Sequence, residues 1–182
     1  MKILVPALKF YSILLVLALG WIYFQQRLRW DLFVRADPEK LVTDLSTGLI
    51  AATSIIGLSL FASKNFPWAQ LLGDEFAKIV VPLHFWEIAA VALLSGIVEE
   101  TFFRGAIQPV LGLIPSSLLF GVAHFVPRKQ LLPWSACAVL AGFVMGCLFE
   151  LTHNLFPTIL AHSATNFVLI LILNGRQTVQ PA

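Results

Sequence analysis

The sequence predicts an all-α fold, a polytopic membrane bundle of about six transmembrane helices. Its composition is the first observation, because 58% of the 182 residues are hydrophobic and only 12% are charged. About a quarter of the residues in a soluble domain are charged. The second observation is a series of apolar runs, several of them close to the roughly 20 residues that a helix needs to cross a bilayer. With no internal repeat or low-complexity segment, residues 1–182 are predicted to form one integral membrane domain.

Six apolar runs give the predicted spans. In chain order they are 3–24, Leu45 to Ala62, Val80 to Val110, Pro115 to Val126, Leu131 to Phe149 and Phe156 to Leu173. The first run ends in aromatic residues typical of a membrane interface, which favours a retained helix over a cleaved signal peptide. The fourth run is short, so its helix is expected to begin slightly before Pro115.

Two connecting segments have patterns of their own. Residues 25–40, QQRLRWDLFVRADPEK, interleave large apolar residues with charges, which predicts a short amphipathic helix in the interface. Residues 63–78, SKNFPWAQLLGDEFAK, contain a proline and a glycine and are predicted to form a loop or interfacial segment. Lysines and arginines are divided so evenly between the two sides that the positive-inside rule assigns no orientation.

The charge and the cysteines exclude other classes of function. A net charge of +2, with the basic residues scattered between the spans, does not predict a nucleic-acid partner. Cys137 and Cys147 lie in one apolar run, where ten residues of helix separate them by about 15 Å. A disulfide between them is therefore excluded, and both are predicted to be small buried side chains.

Polar side chains interrupt three of the predicted spans. Three pairs four residues apart each share one helix face: Glu100 with Arg104, Phe120 with His124, and His162 with Asn166. Glu99 points about 100° away from the face of Glu100. Because ionisable groups inside a span are costly, such residues indicate a functional site. Counting 1.5 Å per residue from the ends of the spans, all three sets are predicted to meet in the half of the bilayer that faces the loops after the third and fifth spans.

Hydrolysis is the chemistry that this cluster supports best. A carboxylate and a histidine can deprotonate a water, while a second histidine and an amide donate hydrogen bonds to the oxyanion. Arg104 is predicted to hold Glu100 as a paired carboxylate, which leaves Glu99 as the base. Two alternatives stay open: a transporter or proton relay, which also uses Glu and His chains, and a scaffold that keeps the fold without catalysis.

The same residues resemble a known family. EETFFR, FGVAH and HSATN look like the EExxxR, FxxxH and HxxxN motifs of the CPBP intramembrane proteases, which include the type II CAAX prenyl endopeptidases and the ABI family. The resemblance covers residues 80–173, the predicted catalytic core. It implies an intramembrane endopeptidase, of the glutamic type, that cleaves a membrane-anchored or prenylated protein near its C-terminus.

The resemblance also implies roles for the motif residues. Glu99 and His124 would activate the water, and His162 and Asn166 would bind the oxyanion. Glu100 and Arg104 would support the site.

No cofactor is expected, but the types of side chain leave a zinc-dependent alternative open. In that alternative the ligands would be Glu99, His124 and His162, a His₂Glu set with an open position. The chain contains no H-E-x-x-H motif that would supply two ligands from one helix.

One segment departs from the family pattern. A basic residue usually precedes the turn before the last helix, whereas this chain has FELTHN there, with Glu150 and His153. The roles of these two residues in substrate binding are therefore left open. The short chain favours a prokaryotic member in the cytoplasmic membrane, with the lipid bilayer and a membrane-anchored peptide as its partners.

Overall fold

In the computed structural model, residues 4–35, 37–80 and 82–178 are described, and within these ranges the chain forms helices and turns without any strand. The described residues form seven helices: α1 (Leu4–Phe24), α2 (Pro38–Asn65), α3 (Pro67–Val80), α4 (Phe85–Leu111), α5 (Leu113–Ala123), α6 (Leu132–Thr152) and α7 (Phe156–Thr178). Short 3₁₀ turns lie at Trp30–Leu32 and Lys129–Leu131. The predicted all-α membrane bundle is confirmed.

The number of full-length spans is smaller than the six predicted. By length and composition, α1, α2, α6 and α7 could each cross a membrane. Helices α3 and α4 pass the same test only as a pair that is bent by 106°. With eleven residues, α5 is about 16 Å long, roughly half the hydrocarbon thickness. The predicted fourth span therefore reaches only part of the way across.

The two connecting segments also differ from their predictions. Residues 67–80 form α3, so most of the predicted loop or interfacial segment is helical. The predicted interfacial helix in residues 25–40 is reduced to the 3₁₀ turn at Trp30–Leu32. Leu32 in this turn is buried and packs in one apolar cluster with Ile22 and Leu155. Burial of that side chain fixes the turn against the bundle.

Two of the helices begin at residues that cap their N-termini. Asp37 caps α2, where its Oδ1 accepts from the backbone N–H of Glu39 at 3.0 Å and Pro38 occupies the first turn. His84 begins α4 in a capping box, in which its backbone N–H donates to Glu87 Oε2 at 2.9 Å. The cap at His84 defines the register in which α4 enters the core.

A π-helical segment, Thr101–Ile107, interrupts α4 immediately after the two glutamates. Within it the backbone N–H of Gln108 donates to the carbonyl of Phe103, five residues earlier. Such segments are frequent at functional sites. The carbonyls of Gly105 and Ala106 accept hydrogen bonds from Arg27 Nη1 at 3.2 Å and Gln25 Nε2 at 3.1 Å. The C-terminal end of α1 is therefore tied to this part of α4.

Helix α4 lies at the centre of the bundle and packs against α1 and α7, while α5 packs against α6. Glycine allows the closest of these contacts. A Cβ on Gly96 would overlap Ser163 Oγ, and a Cβ on Gly121 would overlap the side chain of Val139. These close approaches bring α7 against α4 and α5 against α6, on either side of the motif residues.

Candidate active site

A buried ion pair forms the base of the site. Arg104 Nη1 lies 2.9 Å from Glu100 Oε1, and both side chains are almost fully inaccessible. Arg104 Nη2 donates to the carbonyl of Gly142 at 2.7 Å, and its guanidinium lies over the ring of Phe120, 4.7 Å from the centroid. The predicted pairing of Glu100 with Arg104 is confirmed. The two further contacts of Arg104, with Phe120 and Gly142, join α4 to α5 and α6.

His162 on α7 joins this ion pair. Its Nδ1 lies 2.7 Å from Glu100 Oε1, the same oxygen that accepts from Arg104. Because a carboxylate oxygen accepts, Nδ1 is the donor and its proton is fixed there. The other ring nitrogen, Nε2, is then directed away from Glu100. The sequence predicted that His162 would reach the cluster but not that Glu100 would orient it.

Glu99 faces a different histidine. Its Oε2 lies 3.5 Å from Nε2 of His124. His124 Nδ1 lies 2.7 Å from the carbonyl oxygen of Phe120, and because a carbonyl only accepts, Nδ1 carries a proton. In the neutral ring, Nε2 is therefore a lone-pair acceptor that faces a carboxylate. The sequence predicted that Phe120 and His124 share one helix face and that Glu99 points away from Glu100, but not this bond to the backbone.

Tyr11 on α1 makes a contact that the sequence analysis missed. Its hydroxyl donates to Glu99 Oε1 at 2.8 Å across 88 residues of chain. One signal for it was present, since a phenol in the interior of an apolar span needs a hydrogen-bond partner. The periodicity of α1 alone does not identify that partner.

Ser95 is a second residue that the sequence analysis missed. Asn166 Nδ2 donates to Ser95 Oγ at 2.9 Å, while the Ser95 hydroxyl donates to the carbonyl of Ala92 at 3.1 Å. The serine thereby orients the amide of Asn166. Since an amide nitrogen has two hydrogens, one of them is left for another acceptor.

The depth predicted for His124 is wrong. His124 follows the last residue of α5, and its carbonyl accepts from Ser135 Oγ at 3.2 Å. Its ring lies 5.7 Å from that of Trp134, only two residues after the start of α6 at Leu132. Trp134 is 18 residues from Thr152, the end of α6, a distance of about 27 Å along the helix. His124 therefore lies toward the loop that precedes α6, not toward the one that follows it.

The arrangement does not fit the zinc set Glu99, His124 and His162. His124 Nε2 lies beside Glu99, whereas His162 bonds to Glu100 through Nδ1 and keeps Nε2 free. Within the described ranges, no group of three His, Cys, Asp or Glu side chains has the geometry to hold a metal ion. The two histidines serve two different carboxylates.

Glu150 and His153 lie outside this cluster. Glu150 Oε1 is 3.3 Å from Gln108 Nε2, and His153 ends α6 in the left-handed conformation, with φ of 50°. Both line a cavity of about 220 Å³. The other residues of its lining are Arg27, Gln108, Pro109 and Phe149. This cavity opens near the C-terminal ends of α4 and α6, away from His124.

Comparison with known proteins identifies the motif-bearing segment. Residues 81–168 match the family model described as type II CAAX prenyl endopeptidase Rce1-like. This part of the chain is therefore similar to the Rce1-like family. The match agrees with the resemblance given by the three motifs, and it begins after α3, so that α1 and α2 lie outside it.

A bacterial relative extends the comparison. The uncharacterized protein YpbD of Bacillus subtilis (strain 168) is 34% identical over 123 residues, which is 63% of this chain. The matched region spans 61% of the length of that relative. No solved structure matches. The Rce1-like match and the apolar helices support an integral membrane protein.

Proposed function

We propose that the protein is an intramembrane endopeptidase that hydrolyses a peptide bond near the C-terminus of a membrane-anchored protein or peptide. One observation supports the proposal above the others. Glu99 and His124 face each other at 3.5 Å, while Glu100 and Arg104 form a separate buried pair that holds His162. Two carboxylates in different environments are typical of sites that assign them different tasks.

The water is held by Glu99 and His124. Glu99 Oε2 and the lone pair on His124 Nε2 are both acceptors, and at 3.5 Å they are close enough to bind the two hydrogens of one water. That water lies to one side of the line between them, with its own lone pairs directed outward. It is therefore oriented to attack a carbonyl carbon, which is the geometry that general-base catalysis needs.

Hydrolysis then follows in two steps. Glu99 takes one proton from the water as the oxygen bonds to the carbonyl carbon, which gives a tetrahedral oxyanion. When the carbon–nitrogen bond breaks, Glu99 returns this proton to the leaving amine. The products are one new carboxyl group and one new amine, and Glu99 ends as the carboxylate with which it began.

The oxyanion is stabilised by Asn166 and His162. The amide hydrogen of Asn166 that Ser95 does not engage is one donor, and Nε2 of a protonated His162 is the other. A protonated His162 also balances charge, since Glu99 and Glu100 together carry two negative charges against the single positive charge of Arg104. Neutrality of the whole cluster lowers the cost of burying it in a low dielectric.

A metal-free mechanism is proposed because, among the described residues, no group of three His, Cys, Asp or Glu side chains has the geometry to hold a metal ion. Activity is therefore expected to persist in a strong chelator. Loss of cleavage under the chelator, with recovery on addition of Zn²⁺, would instead favour the zinc-dependent reaction.

The substrate class follows from the location of the site. Because the site residues are buried among apolar helices, a substrate that itself lies in or on the bilayer is the one best placed to reach them. The similarity to the Rce1-like family supports a lipid-anchored peptide. The bacterial relative supports a prokaryotic cytoplasmic membrane as the location. The lipid bilayer and the anchored substrate are the proposed partners, and nucleic acid is not one of them.

The test is cleavage by purified protein of a panel of peptides with prenylated or transmembrane C-termini, with products identified by mass spectrometry. Wild type is compared with Glu99→Gln, Glu99→Ala and His124→Ala, and Glu39→Gln, an exposed position at the start of α2, is the matched control outside the cluster. Cleavage by wild type and by the control alone supports the proposal. Cleavage that survives in all three site variants contradicts it. A wild type that cleaves nothing but moves protons across liposomes supports the relay.

A further inference from the structure

Helix α1 lies outside the segment that matches the family, yet it reaches the site. Tyr11 Oη is 2.8 Å from Glu99 Oε1, and the matched segment begins only at residue 81. The three motifs contain no partner for this oxygen of Glu99. The hydrogen bond from α1 therefore supplies something that the motif core lacks.

We propose that Tyr11 is a positioning residue for Glu99 in the proposed hydrolysis, on which this inference rests. The phenol hydroxyl holds Oε1 and leaves Oε2 directed at His124. It touches neither the water nor the substrate carbonyl, and it keeps its proton throughout. Its effect is to fix the plane of the Glu99 carboxylate so that one oxygen stays directed at His124.

This restraint is needed because a glutamate carboxylate does not fix its own orientation. The terminal torsion of glutamate is broad, so the plane of the carboxylate turns easily. Glu99 is 8% exposed, and among the described residues its Oε2 accepts no hydrogen bond. Without Tyr11, no donor in that part of the chain would fix the rotation of the carboxylate.

The position of Tyr11 is itself fixed at the other end of α1. Gln25 and Arg27 donate to backbone carbonyls in the π-helical segment of α4. The side chain of Ile22 fills the space beside Gly105, where a Cβ would come within 2.9 Å of its Cδ1. These contacts lie more than ten residues from Tyr11. Removal of the hydroxyl is therefore expected to release Glu99 without undocking α1.

The first test is the kinetics of Tyr11→Phe, which removes only the hydroxyl. Tyr23→Phe is the matched control, since Tyr23 lies on the same helix and is 67% exposed. Tyr11→Phe is expected to lower kcat about 10- to 100-fold, the scale of one hydrogen bond to a charged group. KM is expected to stay within about twofold of wild type, because substrate binding is not altered. The control is expected to match wild type.

The second test reports the hydrogen bond directly and does not depend on activity. The infrared difference between wild type and Tyr11→Phe is expected to contain a shifted carboxylate stretch. The same difference measured between Glu99→Gln and the Glu99→Gln/Tyr11→Phe double variant should lack that band, because the carboxylate is gone. If Tyr11→Phe also lowers the melting temperature, the fall in kcat alone does not report the hydrogen bond. The double difference then decides whether Tyr11 is bonded to Glu99.

Two results would overturn the role of Tyr11: an unchanged or raised kcat in Tyr11→Phe, or a spectrum without a band that depends on Glu99. Failure of the proposed function has a different signature, because wild type would then cleave none of the peptides. An active wild type with an unaffected Tyr11→Phe removes only the inference about Tyr11.

Discussion

Arg104 and Glu100 form an ion pair four residues apart on α4, with Nη1 2.9 Å from Oε1 and both side chains removed from solvent. The guanidinium also donates to the carbonyl of Gly142. This pair thus joins two helices at the level of the site. Its importance lies in the cost of leaving either charge alone in a low dielectric.

Arg104→Ala is therefore expected to destabilise the protein strongly. Loss of one partner of a buried ion pair typically costs about 3–5 kcal/mol, since the other charge is left without compensation. The measurement is reversible unfolding in detergent. Arg29→Ala is the matched control, because Arg29 and Asp31 form a pair in which the side chains are 73% and 58% exposed. A loss in Arg104→Ala no larger than in this control would contradict the prediction.

Glu99 and Glu100 are expected to respond differently to the same substitution. Glu99→Gln keeps an oxygen that can accept from Tyr11, so the melting temperature should stay near that of wild type. The lost base should lower kcat by about 10²- to 10⁴-fold. Glu100→Gln removes the anion beside Arg104 and His162, so stability and activity should fall together. Equal effects of the two variants on stability would remove the distinction between a catalytic and a supporting carboxylate.

Substitutions of Asn166 and Ser95 test two different roles. Asn166 is the proposed donor to the oxyanion, and Ser95 is the residue that orients its amide. Asn166→Ala should lower kcat by about 10²- to 10³-fold, as for other lost oxyanion donors. Ser95→Ala removes only the acceptor that orients the amide, so a loss of about two- to tenfold is expected. Ser117→Ala is the control, since its hydroxyl donates within α5 to the carbonyl of Leu113. A greater loss in Ser95→Ala than in Asn166→Ala would contradict this order.

The contacts that helical spacing alone predicted are those within one helix, whereas the approach of Glu99 to His124 was expected from the depth count and from the resemblance. Glu100 with Arg104 and Phe120 with His124 follow from a spacing of four residues, which holds wherever the helix lies in the bundle. Helical spacing also predicted that Glu99 points away from Glu100. The π-helical segment, which was not predicted, begins only after both glutamates and so does not change this. A local rule was sufficient for these contacts because no other helix determines them.

The contacts that the sequence did not predict join different helices. Tyr11 and Glu99 are 88 residues apart, and Asn166 and Ser95 are 71 apart. Such pairs depend on how helices cross, which periodicity does not contain. The depth of His124 was wrong for a related reason, because α5 is short and its exit loop folds against the start of α6. Distances counted along single helices assumed a full span there.

Gly96 provides a test of how closely α4 and α7 must pack. A Cβ at this position would overlap Ser163 Oγ and lie 3.1 Å from the carbonyl oxygen of Ile159. Because backbone atoms of α7 cannot rotate away as a side chain can, Gly96→Ala should force the two helices apart. The expected cost is about 1–3 kcal/mol, the usual range for overpacking. Cleavage should also fall, since α7 carries His162 and Asn166.

Gly57→Ala is the matched control for this substitution. Gly57 lies within α2, and apart from its neighbours in that helix no atom lies within 4 Å of the Cβ that alanine would add. Alanine there should leave cleavage unchanged and raise stability by about 0.5–1 kcal/mol, because it restricts the unfolded chain. Both variants are measured by unfolding in detergent and by peptide cleavage. If Gly96→Ala is as stable and as active as Gly57→Ala, the close contact of α4 with α7 is not what holds the oxyanion residues against the site.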